Sequence, residues 1–424
     1  MTNDEGNTLE FYRSIESVRS TCNKVYDGRL ESGKNETQYF HIDMDNMAKV
    51  RDNLIDIIGR DYKQLSDIPV HGRWQHLNCG GVDRIGQLLS AWEVEKVDSI
   101  EVCRRLVDLI TFSVLIDAGA GSTWRFTEGE TKIGRSEGLA VASFYMFESG
   151  SLSADGTHKV HGSKLSEFTK QDFDEAFQIS SKNTLQGYEG RIELIKSLGR
   201  SLLSSSDIFG EDGRPGNMID YLFKLNNSNE LELPQVWNTL MSGYTQIWPA
   251  GRLSFNGEPL GDCWEYKKED NTSFIVCFHK LTQWLCYSLL RPLEEFGHKF
   301  IIKSKDLQTG LPEYRNGGLF IDFGVLSLKE EYHKAGVNNS TEYGYDNSIP
   351  TFTPESGVIV EWRCLTIGLL DKLLPMVNEK LDATLKLSQL IEAGTWKAGR
   401  EIAAKLRPKT GGPPINLHSD GTVF

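Results

Sequence analysis

No apolar run in this chain approaches the roughly 20 residues that a membrane span requires. The longest stretches, such as Leu281–Leu290, are broken by Thr282, Gln283 and Ser288 and read as buried helices. Positive charge is not in excess either, with 46 Lys and Arg against 59 Asp and Glu for a formal −13. A general nucleic-acid binder is therefore excluded, because neutralising phosphates needs a surface dominated by Lys and Arg. A local basic pocket for one phosphate stays open. The cysteines, Cys22, Cys79, Cys103, Cys263, Cys277, Cys286 and Cys364, are scattered and form no CxxC. Such a set fits reduced thiols better than a disulfide framework. The opening Met1-Thr-Asn-Asp-Glu-Gly has neither the basic n-region nor the apolar h-region of a secretory signal, so a cytoplasmic location is expected. GxSxG, the P-loop and the Rossmann fingerprint are missing, which removes the commonest enzyme classes and leaves no expected cofactor. His71, His76 and Cys79 lie close together but match no standard zinc spacing, so no metal is expected. No cysteine sits in an evident electropositive setting, which argues against nucleophilic thiol chemistry.

What is present is an ordinary globular composition, 39% apolar and 25% charged over 424 residues, enough for a large buried core. Helical spacing of apolar residues dominates. Residues 1–65 read as an N-terminal helical segment of two helices with a polar joint near Gly28–Glu36. Residues 66–424 read as a helical catalytic domain, continuous with those helices. Within it, Asp98–Asp117 is apolar on too many faces for a surface helix. A small hairpin is expected around Thr-Glu-Gly-Glu at 127–130, then helices over Gly138–Glu148, Leu165–Leu203, Met218–Leu225, Leu233–Met241, Thr282–Phe296, Gly318–Leu328 and Leu365–Ile391. Trp248 to Trp264 reads as an irregular connector. The fold class expected is mainly α with a minor β element.

Three blocks set polar groups among apolar neighbours, where pockets tend to be built. Phe278-His-Lys-Leu-Thr-Gln-Trp opens a helix and puts Lys280 and Gln283 about one turn apart on one face. Lys280 there is either a phosphate holder or a solvated lysine beside a buried aromatic. Pro312-Glu-Tyr-Arg-Asn-Gly-Gly leads into an apolar helix, so Glu313 is either a general base or cation stabiliser, or a helix-capping carboxylate. In Val358-Ile-Val-Glu-Trp-Arg-Cys, Glu361 and Arg363 interrupt an apolar run; if extended they share a face, as a structural ion pair or as support for a site. The paired Gly80 and Gly81 precede a helix whose backbone amides could meet an anion.

Together with His71-Gly-Arg-Trp-Gln-His, which contains Trp74, the blocks Gly80-Gly-Val-Asp-Arg, Asp117-Ala-Gly-Ala-Gly, Arg135-Ser-Glu-Gly-Leu-Ala, Gly261-Asp-Cys-Trp, Phe278-His-Lys-Leu-Thr-Gln-Trp-Leu, Thr309-Gly-Leu-Pro-Glu-Tyr-Arg-Asn-Gly-Gly-Leu and Ser419-Asp-Gly-Thr-Val-Phe resemble the uracil-catabolism family of fungi and bacteria. In that family's pathway uracil is ribosylated and ring-opened to a ribosyl-urea compound, from which urea is released. Phe278-His-Lys-Leu-Thr-Gln, Glu313-Tyr-Arg and Glu361-Trp-Arg also resemble blocks of the queuosine-5′-phosphate nucleosidases, whose helical fold is similar to DNA glycosylases.

The resemblance implies a DNA-glycosylase-like core and hydrolysis of an N-ribosidic bond. It puts Glu313, one methylene longer than the nucleosidase aspartate, in the catalytic role and Lys280 on a 5′-phosphate. It further implies substrate contacts from Gln283, Tyr314, Arg315, Asp117, Trp74, Gly80, Gly81, Glu361 and Arg363, and a leaving-group donor among His279, Asp117 and Asp420. The partner expected is a small nucleoside-like or nucleotide-like substrate, with neither nucleic acid nor membrane. Two other readings stand beside this one: an amidohydrolase acting on the ring-opened pyrimidine, and a non-catalytic partner of another pathway enzyme.

Overall fold

The computed structural model describes residues 8–31, 35–117, 121, 123–248 and 251–418, and the chain is mainly α. Strands occur among the described residues only as two-stranded pairs. Three are hairpins: Arg125–Glu128 with Thr131–Gly134, Cys263–Lys267 with Ser273–Cys277, and the short Ser254–Phe255 with Glu258–Pro259 within the segment expected to be an irregular connector. Others tie distant parts of the chain: Phe40–Ile42 runs antiparallel to Leu326–Leu328, and Thr351–Phe352 runs parallel to Asn416–Leu417. No described helix is long and apolar enough to cross a membrane.

The centre of the molecule is the helix Gly357–Leu381, buried without a break from Val358 to Leu370. The stretch around Glu361 is therefore helical and not extended. A run that is apolar on every side carries no period, so sequence spacing does not separate a central helix from a buried strand there. Helices Glu16–Glu31 and Met47–Asp61 pack on this central helix, as does Tyr314–Asp322, which also lies along Trp396–Leu406. A second layer pairs Lys280–Glu295 with Ser99–Leu115, the latter capped by Asp98, whose carboxylate accepts from the N–H groups of Ile100 and Glu101.

Helix ends differ from the spacing-based expectation where local chemistry intervenes. Leu165–Leu203 is three helices, because Thr169 and Asp172 form a capping box that starts Lys170–Ala176, and Tyr188–Ser204 starts only after Gly187 at φ +69°. The helix expected over Gly318–Leu328 begins earlier, at Tyr314, and stops at Asp322; Gly324 at φ +75° then turns the chain into the Leu326–Leu328 strand. The one expected over Leu365–Ile391 begins at Gly357 and ends at Leu381, where Asp382 takes φ +48°. Glu330–Glu342 and Trp396–Leu406 are additional helices.

Candidate active site

A cavity of about 320 Å³ opens where four helix starts and the C-terminal strap converge. Its wall takes His71 and His76 from one segment, Asp117 and Arg135–Glu137 from a second, Lys280 and Trp284 from a third, and Leu311 with Glu313–Arg315 from a fourth. Trp396, residues of the strap from Thr410 to Leu417, the loop residues Tyr345, Asp346 and Ile349, and Gly121 with Gln186 complete it. Arg135 donates to the carbonyls of Thr410 and Gly411, and Arg407 Nε donates to Gly412 O at 2.7 Å, so the strap is held at both edges.

Glu313 is the N-cap of Tyr314–Asp322. Its Oε1 accepts from Asn316 N at 2.7 Å and its Oε2 from Arg315 N at 2.9 Å. Capping and facing the cavity are not alternatives: each oxygen spends one lone pair on a backbone amide and keeps the other for the cavity. The positive end of the helix lies under the carboxylate. The twin glycines serve packing. A Cβ on Gly317 would come within 2.8 Å of Thr366 and Trp362 on the central helix, and one on Gly318 within 2.9 Å of Pro414 in the strap. The carboxylate is thereby seated on two rigid surfaces.

Lys280 opens its own helix, and its backbone N–H donates to Asp262 Oδ2 at 3.0 Å. Asp262 also accepts both Arg363 Nη1 at 2.8 Å and Nη2 at 2.7 Å, while Arg363 Nε reaches Pro312 O at 3.3 Å. One buried ion pair thus joins the segment of Lys280 to that of Glu313. Burial would raise the Asp262 carboxyl, but the Arg363 guanidinium overrides it and holds it well below the usual carboxylate range. The Lys280 ammonium has no hydrogen-bond partner among the described residues. Burial lowers its pKa, opposed by the charges of Asp117 and Glu313.

Asp117 is paired with Arg73 Nη1 at 2.9 Å and accepts from Ser136 Oγ at 2.7 Å. Ser136 Oγ lies 3.0 Å from His76 Nδ1. Burial pushes the His76 imidazole down to about 4, so it is neutral at physiological pH. His71 differs: its Nδ1 sits 2.5 Å from Glu392 Oε2. Its ring packs 4.6 Å from Trp284, and His76 lies 5.2 Å from Trp396. Arg315, 5% exposed, has its guanidinium 5.6 Å over Trp396.

Of the residues singled out by sequence, the fold brings Glu313, Tyr314, Arg315, Lys280 and Asp117 to one cavity. Others stand apart from it. Gln283 points to the other side of its helix and clamps Thr309, accepting from its N–H at 3.0 Å. Trp74 stacks on Phe296 with Arg291 over its ring. Gly80 and Gly81 form an exposed turn at φ +75° and +77°. His279 is fully buried, with Nε2 2.7 Å from Tyr12 O. Among the described residues His71 and His76 do not form a metal group with Cys79; the three side chains there whose ligand atoms lie within 4.8 Å of one another are Cys263, Cys277 and His279. Glu361 and Arg363 are not an ion pair, because two residues apart on a helix they point to different sides. Arg363 takes Asp262, while Glu361 accepts from Thr37, Tyr39 N and Tyr266; burial raises its pKa and those donors lower it. Asp420 lies outside the described residues. Sequence reasoning missed His71 and His76 as cavity residues, as well as Ser136, Glu137, Trp284 and Trp396. The Arg135-Ser-Glu block was the available signal for two of these; for Trp396 there was none.

The family described as "Protein of unknown function (DUF1688)" matches residues 11–424. Uracil catabolism protein 4 of Lachancea kluyveri is 55% identical over 436 residues, covering 99% of this chain and 99% of its own length. Protein urg3 of Schizosaccharomyces pombe is 43% identical over 420 residues, covering 97% of this chain and 98% of its own.

Proposed function

The chain belongs to this family, and from that premise we propose that it is a hydrolase of uracil catabolism that cleaves the N-ribosidic bond of a ribosyl-urea or its 5′-phosphate, releasing urea and the sugar. The observation that carries the reading is the seat of Glu313, a carboxylate fixed by Arg315 N and Asn316 N and facing the same cavity as Lys280. Loss of an N-linked leaving group builds positive charge on C1′ and the ring oxygen. A preorganised carboxylate lowers that barrier because it needs no reorganisation as the charge appears. Glu313 also has lone pairs left to orient the attacking water. Lys280, whose ammonium has no partner of its own among the described residues, binds the 5′-phosphate when one is present, and Arg315 stands on the same wall. A cavity of about 320 Å³ suits a ligand of this size. The role in uracil catabolism follows the name of the Lachancea relative.

The test is direct. Purified protein is incubated with ribosyl-urea and with ribosyl-urea 5′-phosphate, and the products are identified by mass spectrometry. Free urea together with ribose or ribose 5′-phosphate is the expected result. Ammonia and carbon dioxide with the C1′–N bond intact would replace this reading by an amidohydrolase.

A further inference from the structure

Urea is a poor leaving group, and the cavity must supply it with a proton. Of the acidic groups that surround the cavity, one pair is built for that task. His71 is 2% exposed, its Nδ1 lies 2.5 Å from the Glu392 carboxylate, and its Nε2 has no hydrogen-bond partner among the described residues. A carboxylate can only accept, so Nδ1 carries the hydrogen and the imidazole is locked with Nε2 toward the cavity. Its ring is further fixed by Trp284 at 4.6 Å, and its backbone N–H is anchored on Ser388 O at 3.3 Å. We propose that His71, oriented by Glu392, is the general acid that protonates the urea leaving group; this rests on the N-riboside hydrolysis reading above.

His76 is the competing candidate and its surroundings exclude it. Its Nδ1 faces Ser136 Oγ at 3.0 Å and the Arg73 guanidinium at 3.4 Å. No carboxylate touches it directly, so an imidazolium there would be buried against a cation. It holds the geometry of Ser136 and Asp117 as a neutral ring. The charged and titratable groups around His71 are Glu392 from the 391–395 turn, His76 on the following helix, Lys280 one turn before Trp284, and, elsewhere on the cavity wall, Asp117, Arg135, Glu137, Glu313, Arg315 and Asp346. Among these Glu392 alone is in hydrogen-bond contact with His71, and that contact fixes the ring's orientation.

The step balances as follows. The C1′–N bond breaks and its electron pair stays with urea, whose nitrogen takes the proton from His71 Nε2. Water adds its oxygen to C1′ and releases one proton, which restores the imidazolium. One water is consumed, and urea and the sugar leave.

The experiment compares wild type, His71→Asn and Glu392→Gln on two substrates, ribosyl-urea and 4-nitrophenyl riboside. The nitrophenolate leaves without protonation. Asn keeps a donor to Glu392 and removes the Nε2 acid. His71→Asn is expected to lose a hundredfold or more on ribosyl-urea, within the range of about 10²–10⁴ for a general acid, and to stay within a few-fold of wild type on the nitrophenyl riboside. That second activity doubles as the test of folding. Glu392→Gln is expected to lower kcat for ribosyl-urea about tenfold or more with little change in KM while staying within a few-fold of wild type on the nitrophenyl riboside, a split that loss of packing alone would not produce. If wild type cleaves both substrates and His71→Asn cleaves ribosyl-urea normally, the general-acid assignment falls and the hydrolase reading survives. Equal losses on both substrates would also overturn it, making His71 structural. If wild type cleaves neither riboside, both fall together.

Discussion

Replacing Glu313 by Gln tests charge and cap at once, and the structure separates the two. The amide keeps one oxygen and turns the other position into an N–H donor, which then meets the N–H of either Arg315 or Asn316. Losing a helix cap costs about 0.5–2 kcal/mol. At about 2.1 cal/mol/K of unfolding entropy per residue, the 424-residue chain has roughly 0.9 kcal/mol/K in total. The melting temperature should therefore fall by only about 1–2 °C, well within a folded range. The charge is worth more: removing one preorganised group opposite a developing charge costs about a hundredfold to a thousandfold, or about 3–4 kcal/mol, in kcat. Glu313→Asp supplies the control, because Asp is a good N-cap and keeps the charge, one methylene short. It should melt near wild type and lose less activity than Gln. Turnover of ribosyl-urea, followed by urea release, and thermal unfolding by circular dichroism are measured on the same preparations. A folded Glu313→Gln protein with near-normal turnover would refute the electrostatic role. Asp and Gln falling equally would show that position, and not charge, is what matters.

Lys280→Met should raise KM for ribosyl-urea 5′-phosphate far more than for ribosyl-urea, since a point charge to phosphate acts in binding; steady-state kinetics on both substrates decide it, and equal effects would remove the phosphate role. Deleting residues 419–424 should abolish turnover with a small change in melting temperature, because the preceding strap from Thr410 to Leu417 already lines the cavity; full activity of the truncated chain would show that those residues take no part. His76 titrates near 4 when folded and near 6.5 when unfolded, so the unfolded state binds the extra proton as pH falls. Its contribution is fully present above about pH 6.5 and shrinks toward pH 4, by about 3 kcal/mol, so urea-unfolding stability should drop over that window and His76→Gln should flatten the drop.

The helical class and the setting of the Lys280 and Glu313 blocks among apolar neighbours were legible in the chain itself, because they depend on composition and on short-range spacing. The hairpin at Arg125–Gly134 was legible for the same reason: a turn and its strands are neighbours in sequence. Local spacing also placed Tyr314 and Arg315 beside Glu313, whereas the nearness of Lys280 was what the family resemblance implied. Which member of each block turns inward was another matter. Lys280 and Gln283 sit one turn apart, yet one faces the cavity and the other clamps Thr309, since a helix buried on nearly all sides has no polar face to mark the site. Glu361 and Arg363 looked like partners along the chain, but each finds its partner roughly a hundred residues or more away, in Tyr266 and Thr37 or in Asp262. The His71–Glu392 pair spans 321 residues, and only the docking of the segment before helix Arg73–Leu77 against the one before the 391–395 turn, where His71 N–H donates to Ser388 O, makes it a pair at all. Side-chain chemistry is written locally. The convergence of charges that gives a cavity its reactivity is set by which helices pack together, and that is decided by the whole core at once.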